Sequence, residues 1–267
     1  MDVVVDADIE KTNVRIKGRR RVHCSYHKCL TVYFQKVLSR LYRSPFGPSG
    51  EYRHFNSQVD SFYLECENYA VSSVNNHFLD LDRFEDVRVT RFVRDPRDLI
   101  VSGYFYHKRA AESWCEVVSP AEKDWMIVNG TIPDALAPSW SFARYLNEAS
   151  LEEGLLAELR FRRGHFESMR AWPGDDARIE VFRYEEILGR EVEVFDRIFR
   201  FYEMPFSARQ LGLHFARSFL AVKRSGRSDH IRDPVSGQWR EVFTPEVTRQ
   251  FNAEYADLIE KLGYPDS

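Results

Sequence analysis

The sequence has few of the features that mark membrane, disulfide-rich or zinc-binding proteins. It contains four cysteines in 267 residues, and neither a Cys-x-x-Cys pair nor a His-Glu-x-x-His motif occurs, which argues against a disulfide framework and a zinc site. A run of about 18 apolar residues, as a membrane span needs, is missing. Residues 1–11 (MDVVVDADIEK) lack the basic start and apolar centre of a signal peptide. We therefore expect reduced thiols, no metal, no membrane span and a cytoplasmic location.

Glycine is absent between Arg19 and Arg43. Residues 21–26 nevertheless read as a short strand, Lys28 follows in a tight loop, and apolar residues recur at helical spacing over 34–41. This arrangement directs backbone N–H groups and the positive end of a helix at an anion, usually phosphate. The missing glycines exclude a Walker A motif, which needs Gly-x-x-x-x-Gly-Lys-Ser/Thr. A metal-dependent NTPase is therefore disfavoured.

A strong excess of charge of one sign is also lacking. The 38 basic and 41 acidic residues give a net charge of −3. The overall charge therefore does not indicate nucleic acid or an anionic membrane as a partner. The length and the 43% hydrophobic content suit a single domain over residues 1–267. The oligomeric state stays open, with a homodimer as one of the states that the sequence allows.

A second strand–turn–helix unit begins at residues 87–93, which alternate as a strand. Asp95 is a good helix N-cap, Pro96 suits the first helical turn and Asp98 completes the capping pattern. Arg94 therefore stands at the carboxyl end of a strand. In open α/β sheets, ligands bind at that edge.

Strand patterns and helix patterns alternate along the chain. Residues 178–184 read as a further clear strand, 51–57 and 62–67 carry weaker strand patterns, and a helix is expected from Thr244 to Gly263. The alternation predicts a three-layer α/β/α fold around a mainly parallel sheet. Residues 108–141 are irregular and are interpreted as a lid or acceptor-binding region within the domain.

Four stretches, in family order, resemble motifs of the sulfotransferases that depend on 3′-phosphoadenosine-5′-phosphosulfate (PAPS). Residues 26–33 (YHKCLTVY) are similar to the 5′-phosphosulfate loop, usually Tyr-Pro-Lys-Ser-Gly-Thr-Thr-Trp, and residues 94–102 to the 3′-phosphate motif. Residues 181–188 (VFRYEEIL) resemble the family's Arg-Tyr-Glu-Asp-Leu stretch, and residues 218–244 its C-terminal glycine-containing segment. The resemblance implies a P-loop-like sulfotransferase fold. It also implies sulfuryl transfer to a hydroxyl or amine of a small-molecule or carbohydrate acceptor.

The resemblance further implies which residues bind the donor. The loop and its helix hold the 5′-phosphate, other side chains hold the 3′-phosphate, and aromatic residues line the adenosine, with Tyr33 at the place of a stacking tryptophan. The implied set is His27, Lys28, Cys29, Leu30, Thr31, Val32, Tyr33, Arg94, Ser102, Tyr184, Ser218, Phe219 and Arg232. Three positions depart from the family pattern and bear on donor affinity: Leu30 for the loop glycine, Val32 for a threonine, and Asp233 for the residue after the arginine.

Sulfuryl transfer requires neutralisation of charge on the leaving oxygen and removal of a proton from the acceptor. A lysine ~4 Å from the leaving oxygen interacts with it at about 4 kcal/mol at an effective dielectric near 20, so Lys28 is expected to stabilise the leaving group. The expected general base is His77, 17 residues before Arg94, near the place of the family's catalytic histidine. His27 replaces a loop proline and is expected to touch the sulfuryl oxygens. The alternatives for the base are His54, Glu65 and Glu67.

Aromatic side chains near the irregular region are candidates for an acceptor pocket, with burial in the core as the alternative. They are Tyr104, Phe105, Tyr106, Trp114, Trp125 and Trp140. Two other functions stay open at this point. One is a P-loop-type small-molecule kinase, which would depend on magnesium. The other is a protein that binds adenosine bisphosphate without catalysis.

Overall fold

The computed structural model describes residues 15–110, 112–220 and 236–265. Within these ranges the strands are β1 (Ile16–Ser25), β2 (Tyr52–His54), β3 (Val71–Asn75), β4 (Phe84–Val93) and β5 (Ile179–Arg183). They form one sheet in the order β2-β3-β1-β4-β5, and each of its four pairings is parallel. The expected parallel central sheet is therefore confirmed.

Helices flank this sheet and connect its strands. In the part of the chain that the structure describes, they are α1 (Thr31–Tyr42), α2 (Val59–Glu65), α3 (Pro96–His107), α4 (Glu122–Trp125), α5 (Phe142–Glu148), α6 (Leu151–Phe161), α7 (Arg163–Ala171), α8 (Tyr184–Ile187), α9 (Glu191–Phe201), α10 (Phe206–Ser218), α11 (Trp239–Val242) and α12 (Pro245–Leu262). The C-terminal helix has the expected ends. Thr244 Oγ1 accepts a hydrogen bond from the N–H of Val247, and Gly263 follows in the left-handed conformation.

The two faces of the sheet bury different apolar clusters, because successive residues of a strand point to opposite sides. On one face, Val22 and Cys24 of β1 pack in a cluster that contains Trp172. On the other, His23 stacks on Phe34 of α1 with ring centroids 3.6 Å apart. Burial lowers the pKa of His23 well below its ordinary value, so this residue is a neutral part of the core.

The expected strand at residues 62–67 is wrong, because these residues form the end of α2 and a following 3₁₀ turn. In a strand, Phe62, Leu64 and Cys66 would share one face. In the helical conformation, Phe62 and Cys66 lie four residues apart and are both buried, while Leu64 is 83% exposed. A helix is favoured because it buries the pair on one side.

The strand that follows, β3, has no strong sequence pattern. Its central residues, Ser72 and Ser73, are small and polar, yet both are buried between β1 and β2. The weak strand pattern at residues 51–57 corresponds to β2, which is only three residues long. Both strands are stabilised by their position in the sheet, which local sequence does not encode.

The order of the strands places a ligand crevice next to β1. The connection after β1 leads to β2 at one edge of the sheet, and the connection after β4 leads to β5 at the opposite edge. Because β1 and β4 are neighbours, their carboxyl ends border a topological switch point, where open α/β sheets bind ligands.

The described residues of the range 108–141 contain short helical segments, in keeping with their irregular sequence: two 3₁₀ turns and the single turn of α4. All four cysteines are free and buried. Among the described helices, none has the length and apolar character required to cross a membrane.

Candidate active site

A cavity of about 370 Å³ opens at the carboxyl edge of the sheet, between the β1–α1 loop and the start of α3. It brings together most of the residues expected to bind the donor: His27, Lys28, Leu30, Thr31, Val32, Tyr33, Arg94, Ser102, Tyr184 and Phe219. Two others do not border it. Cys29 is buried behind the loop, and the hydroxyl of Ser218 donates to the carbonyl of His214 at 2.9 Å. Arg232 lies outside the described residues.

The β1–α1 loop adopts a tight turn without any glycine. The N–H of Cys29 donates to the carbonyl of Tyr26 at 2.8 Å, and both Lys28 and Leu30 have positive φ, 74° and 58°. Leu30 therefore occupies the left-handed conformation that glycine usually fills. The turn ends with Thr31 as the first residue of α1, where N–H groups have no partner within the helix.

Asn76 fixes this loop in space. Its Oδ1 accepts from the N–H of His27 at 2.8 Å. Its amide nitrogen donates to the hydroxyl of Ser57 at 2.9 Å and to the carbonyl of Val128 at 3.1 Å. Asn76 thus connects the loop to the turn after β2 and to the 3₁₀ turn at residues 126–128. We expect these contacts to preorganise the loop before any ligand binds.

Lys28 is held against an aromatic ring at the cavity wall. Its ammonium lies 3.5 Å from the centroid of Tyr106, a distance at which the ring face attracts a cation. Burial lowers the pKa of Lys28 to about 7, and the nearby Arg94 guanidinium acts in the same direction. An anion in the cavity would favour the charged form and raise this pKa again.

Arg94 provides a second cationic group, from the end of β4. It is 4% exposed, and its guanidinium lies 4.3 Å from the centroid of the Tyr184 ring. Its Nε has no hydrogen-bond partner among the described residues. Ser102, on the α3 helix that follows, lines the same wall. A buried guanidinium with an unused N–H fits an anionic oxygen group at this end of the cavity.

The segment before α12 is attached to the start of α3 through Asp98. The carboxylate of Asp98 accepts from the N–H of Gly237 at 2.6 Å and from that of Trp239 at 3.1 Å, and the intervening Gln238 lines the cavity. The N-cap role belongs to Asp95, whose Oδ1 accepts from the N–H of Arg97 at 2.9 Å. The expectation that Asp98 completes the helix cap is therefore corrected, since it binds a distant part of the chain.

The residues expected to act as the general base do not border the cavity. His77 is partly buried, and burial lowers its pKa. Nδ1 of His54 contacts the hydroxyl of Ser73 at 2.8 Å. Glu67 accepts from the N–H of Lys17 at 2.7 Å, at the amino-terminal edge of the sheet. Glu65 lies at the end of α2, outside the cavity wall.

Glu112 is a carboxylate in the cavity wall that sequence reasoning missed, as it missed Lys36 and Arg109 in the same wall. Its carboxylate accepts from Nε2 of His27 at 3.1 Å, from the hydroxyl of Tyr106 at 3.0 Å and from the indole N–H of Trp114 at 2.5 Å. Burial alone would raise the pKa of Glu112, but the hydrogen bonds from these three side chains hold it well below its usual range. No motif indicates Glu112, because it lies in the irregular region and meets His27 only through folding.

Three of the six candidate aromatic residues line the cavity: Phe105, Tyr106 and Trp114. Tyr104 and Trp125 belong to the core, and Trp140 lies outside the wall. Tyr33 borders the cavity, but it is 6% exposed and its hydroxyl donates to the carbonyl of Ala216 at 3.0 Å. Its ring therefore offers little free face for stacking on a base.

Comparisons with known proteins identify the family and similar folds. The sulfotransferase domain family matches residues 76–263. Mouse sulfotransferase SULT7A1 complexed with PAP is similar in structure, with 16% identity, coverage of 92% of this chain and 85% of that chain, and a TM-score of 0.54. A retinol dehydratase in complex with androsterone and inactive cofactor PAP covers 90% and 80% at 14% identity, with a TM-score of 0.47. No curated protein matches the chain in sequence.

Proposed function

The chain belongs to the sulfotransferase family, and from that premise we propose that it transfers a sulfuryl group from PAPS to a hydroxyl or amine of a small-molecule or carbohydrate acceptor. The observation that supports the proposal is one cavity lined by two groups of residues that are suited to bind anions. Lys28 and the start of α1 form one group, and Arg94 and Ser102 form the other. Two phosphate-binding groups fit a 3′,5′-bisphosphorylated adenosine better than a triphosphate.

The residues present suit each part of the donor. The first-turn N–H groups of α1, the hydroxyl of Thr31 and the ammonium of Lys28 would hold the 5′-phosphosulfate. Arg94 with its unused N–H and Ser102 would hold the 3′-phosphate. Tyr184 and Phe219 would line the adenosine. Arg232 stays a prediction for the 3′-phosphate, and a single domain and a cytoplasmic location also stay predictions.

When bound, PAPS supplies an activated sulfuryl group. Lys28 neutralises the charge that develops on the leaving oxygen, and its lowered pKa rises towards the charged form beside an anion. Phe105, Tyr106 and Trp114 form the apolar side of the cavity, where an acceptor would be held and water excluded. In-line transfer needs little covalent help beyond this positioning and charge neutralisation.

The experiment is to incubate the protein over one pooled set of alcohols, phenols and amines, with PAPS in one arm and with ATP and magnesium in the other. Mass spectrometry of the products then shows which group is transferred. We expect sulfated products in the PAPS arm only. Phosphorylated products would indicate a kinase, and tight binding of adenosine 3′,5′-bisphosphate without any product would indicate a binding protein without catalysis.

A further inference from the structure

The cavity contains an imidazole–carboxylate pair that the family resemblance does not assign. His27 and Glu112 both line it, and Nε2 of His27 lies 3.1 Å from Oε1 of Glu112. The two residues are 85 positions apart in the sequence. His27 directly precedes Lys28, so the pair lies beside the residue assigned to the leaving group.

The surroundings of Glu112 determine which nitrogen of His27 carries the proton. Tyr106 and Trp114 donate to the same carboxylate, so that Glu112 is ionised and can only accept hydrogen bonds. Nε2 of His27 must therefore be the N–H donor, and Nδ1 keeps its lone pair. Nδ1 is buried and has no hydrogen-bond partner within the described part of the chain. A buried, unused acceptor is costly unless a ligand satisfies it.

We propose that His27, oriented by Glu112, is the base that takes the proton from the acceptor hydroxyl. This proposal rests on the proposed function. A bond forms between the acceptor oxygen and sulfur while the bond from sulfur to the 5′-phosphate oxygen breaks. The electron pair of the broken bond stays on the phosphate, and the acceptor proton passes to Nδ1 of His27. Glu112 acts as a positioning residue, because it fixes the tautomer and stabilises the imidazolium that forms.

Several groups face the His27 ring. Burial lowers the pKa of His27 to about 4; Glu112 opposes this effect, while His107 and Lys28 add to it. His107 stacks on the ring with centroids 5.2 Å apart, and Tyr106 meets it edge-on at 5.5 Å. A base must be unprotonated, so the free-enzyme kcat/KM should fall on the acid side, as the pH drops through the pKa of His27. Replacing Glu112 by Gln removes the group that raises this pKa.

The first test compares sulfate transfer from PAPS to the pooled alcohols and phenols by the wild type, His27→Gln, Glu112→Gln and His77→Gln. The matched controls are His214→Gln in α10 and Glu116→Gln in the same irregular region, both exposed. We expect His27→Gln to lose about 100-fold or more in turnover, while its affinity for adenosine 3′,5′-bisphosphate changes by less than about threefold. A loss confined to His77→Gln, with His27→Gln fully active, would overturn the proposal.

The second test needs no acceptor. Nitrogen–proton correlation spectra of labelled histidines report the tautomer of His27, assigned through the His27→Gln spectrum. We expect a neutral ring with the proton on Nε2, and a lower His27 pKa in Glu112→Gln. A proton on Nδ1 in the neutral ring would contradict the proposal even if every variant folds. If the wild type transfers no sulfate, the proposed function fails, whereas this spectrum still tests the His27–Glu112 pair.

Discussion

At the scale of single residues, Lys28 combines a half-buried position with an aromatic contact and a positive φ. These features leave its ammonium partly desolvated. An interaction with a charge that grows on the leaving oxygen is stronger in such a setting than in water. Lys28 is therefore suited to stabilising the transition state more than the bound donor.

Replacing Lys28 by Ala should reduce turnover strongly and bisphosphate affinity weakly. An interaction of about 4 kcal/mol kept only in the transition state corresponds to about a 1,000-fold loss in kcat. The measurement is single-turnover sulfate transfer together with calorimetric binding of adenosine 3′,5′-bisphosphate. Lys123→Ala, at an exposed position of α4, is the control. Retention of full turnover by the Lys28 variant would refute the assignment.

The lowered pKa of Lys28, about 7, predicts proton uptake when the nucleotide binds. At about pH 8 the resting side chain is mostly neutral, and the phosphates raise its pKa, so binding should take up close to one proton. Well below the resting pKa, Lys28 is already charged and contributes no uptake. Calorimetry in buffers of different ionisation enthalpy measures the proton count. An unchanged count in Lys28→Ala would show that another group takes up the proton.

At the scale of elements, α3 connects the anion site to the core. Its first turn follows Arg94, and its later turns pack on α6. Gly103 lies against the buried pair formed by Oε1 of Glu158 and Nε of Arg162, 2.8 Å apart, and both side chains are fully buried. Close approach of the two helices therefore depends on the absence of a side chain at this position.

Gly103→Ala should destabilise the protein by about 1–3 kcal/mol or more. The added Cβ would lie 1.9 Å from the carboxylate of Glu158 and 2.4 Å from Arg162, so these two side chains would have to move. Moving them apart is costly, because it leaves buried charges without a partner. Urea denaturation measures the change in the free energy of unfolding. Gly174→Ala, where no atom lies within 4 Å, is the matched control. Equal stability of both variants would show that α3 can shift without cost.

At the scale of the whole molecule, the cavity is assembled from segments far apart in the chain. The β1–α1 loop, the start of α3, Tyr184, Phe219 and Gln238 all contribute to its wall. A ligand that contacts all of these segments binds only the folded chain, so binding and global stability are linked.

Adenosine 3′,5′-bisphosphate should therefore raise the free energy of unfolding, by about 2.7 kcal/mol at 100 times its dissociation constant. Adenosine 5′-monophosphate at the same concentration should stabilise less, because it leaves Arg94 without its phosphate. Arg94→Gln should remove most of the difference between the two ligands. Thermal or urea unfolding with each ligand measures the effect. Equal stabilisation of the wild type by both nucleotides would argue against a 3′-phosphate site.

Sequence patterns are sufficient to predict the parallel sheet, both strand–turn–helix units and the membership of the sulfotransferase family. These predictions depend on periodicity and on motifs whose residues lie close together in the chain. Examples are Arg94 and Pro96 in one motif, and Lys28 and Thr31 in the other. Hydrophobic patterns and helix-cap residues involve residues that are close in the sequence, so they predict local structure without knowledge of the tertiary fold. β3 has no strong local pattern and β2 has only a weak one, because both strands are stabilised by their neighbours in the sheet.

Which titratable side chains border the cavity depends on the folded arrangement of distant segments. His77 was the expected base, yet the structure leaves it outside the wall and places Glu112 against His27 instead. Likewise, Asp98 contacts Gly237 across 139 positions. Such contacts arise when helices and loops pack on the edge of the sheet, and the energy of a hydrogen bond depends on distance and burial, which sequence spacing does not specify.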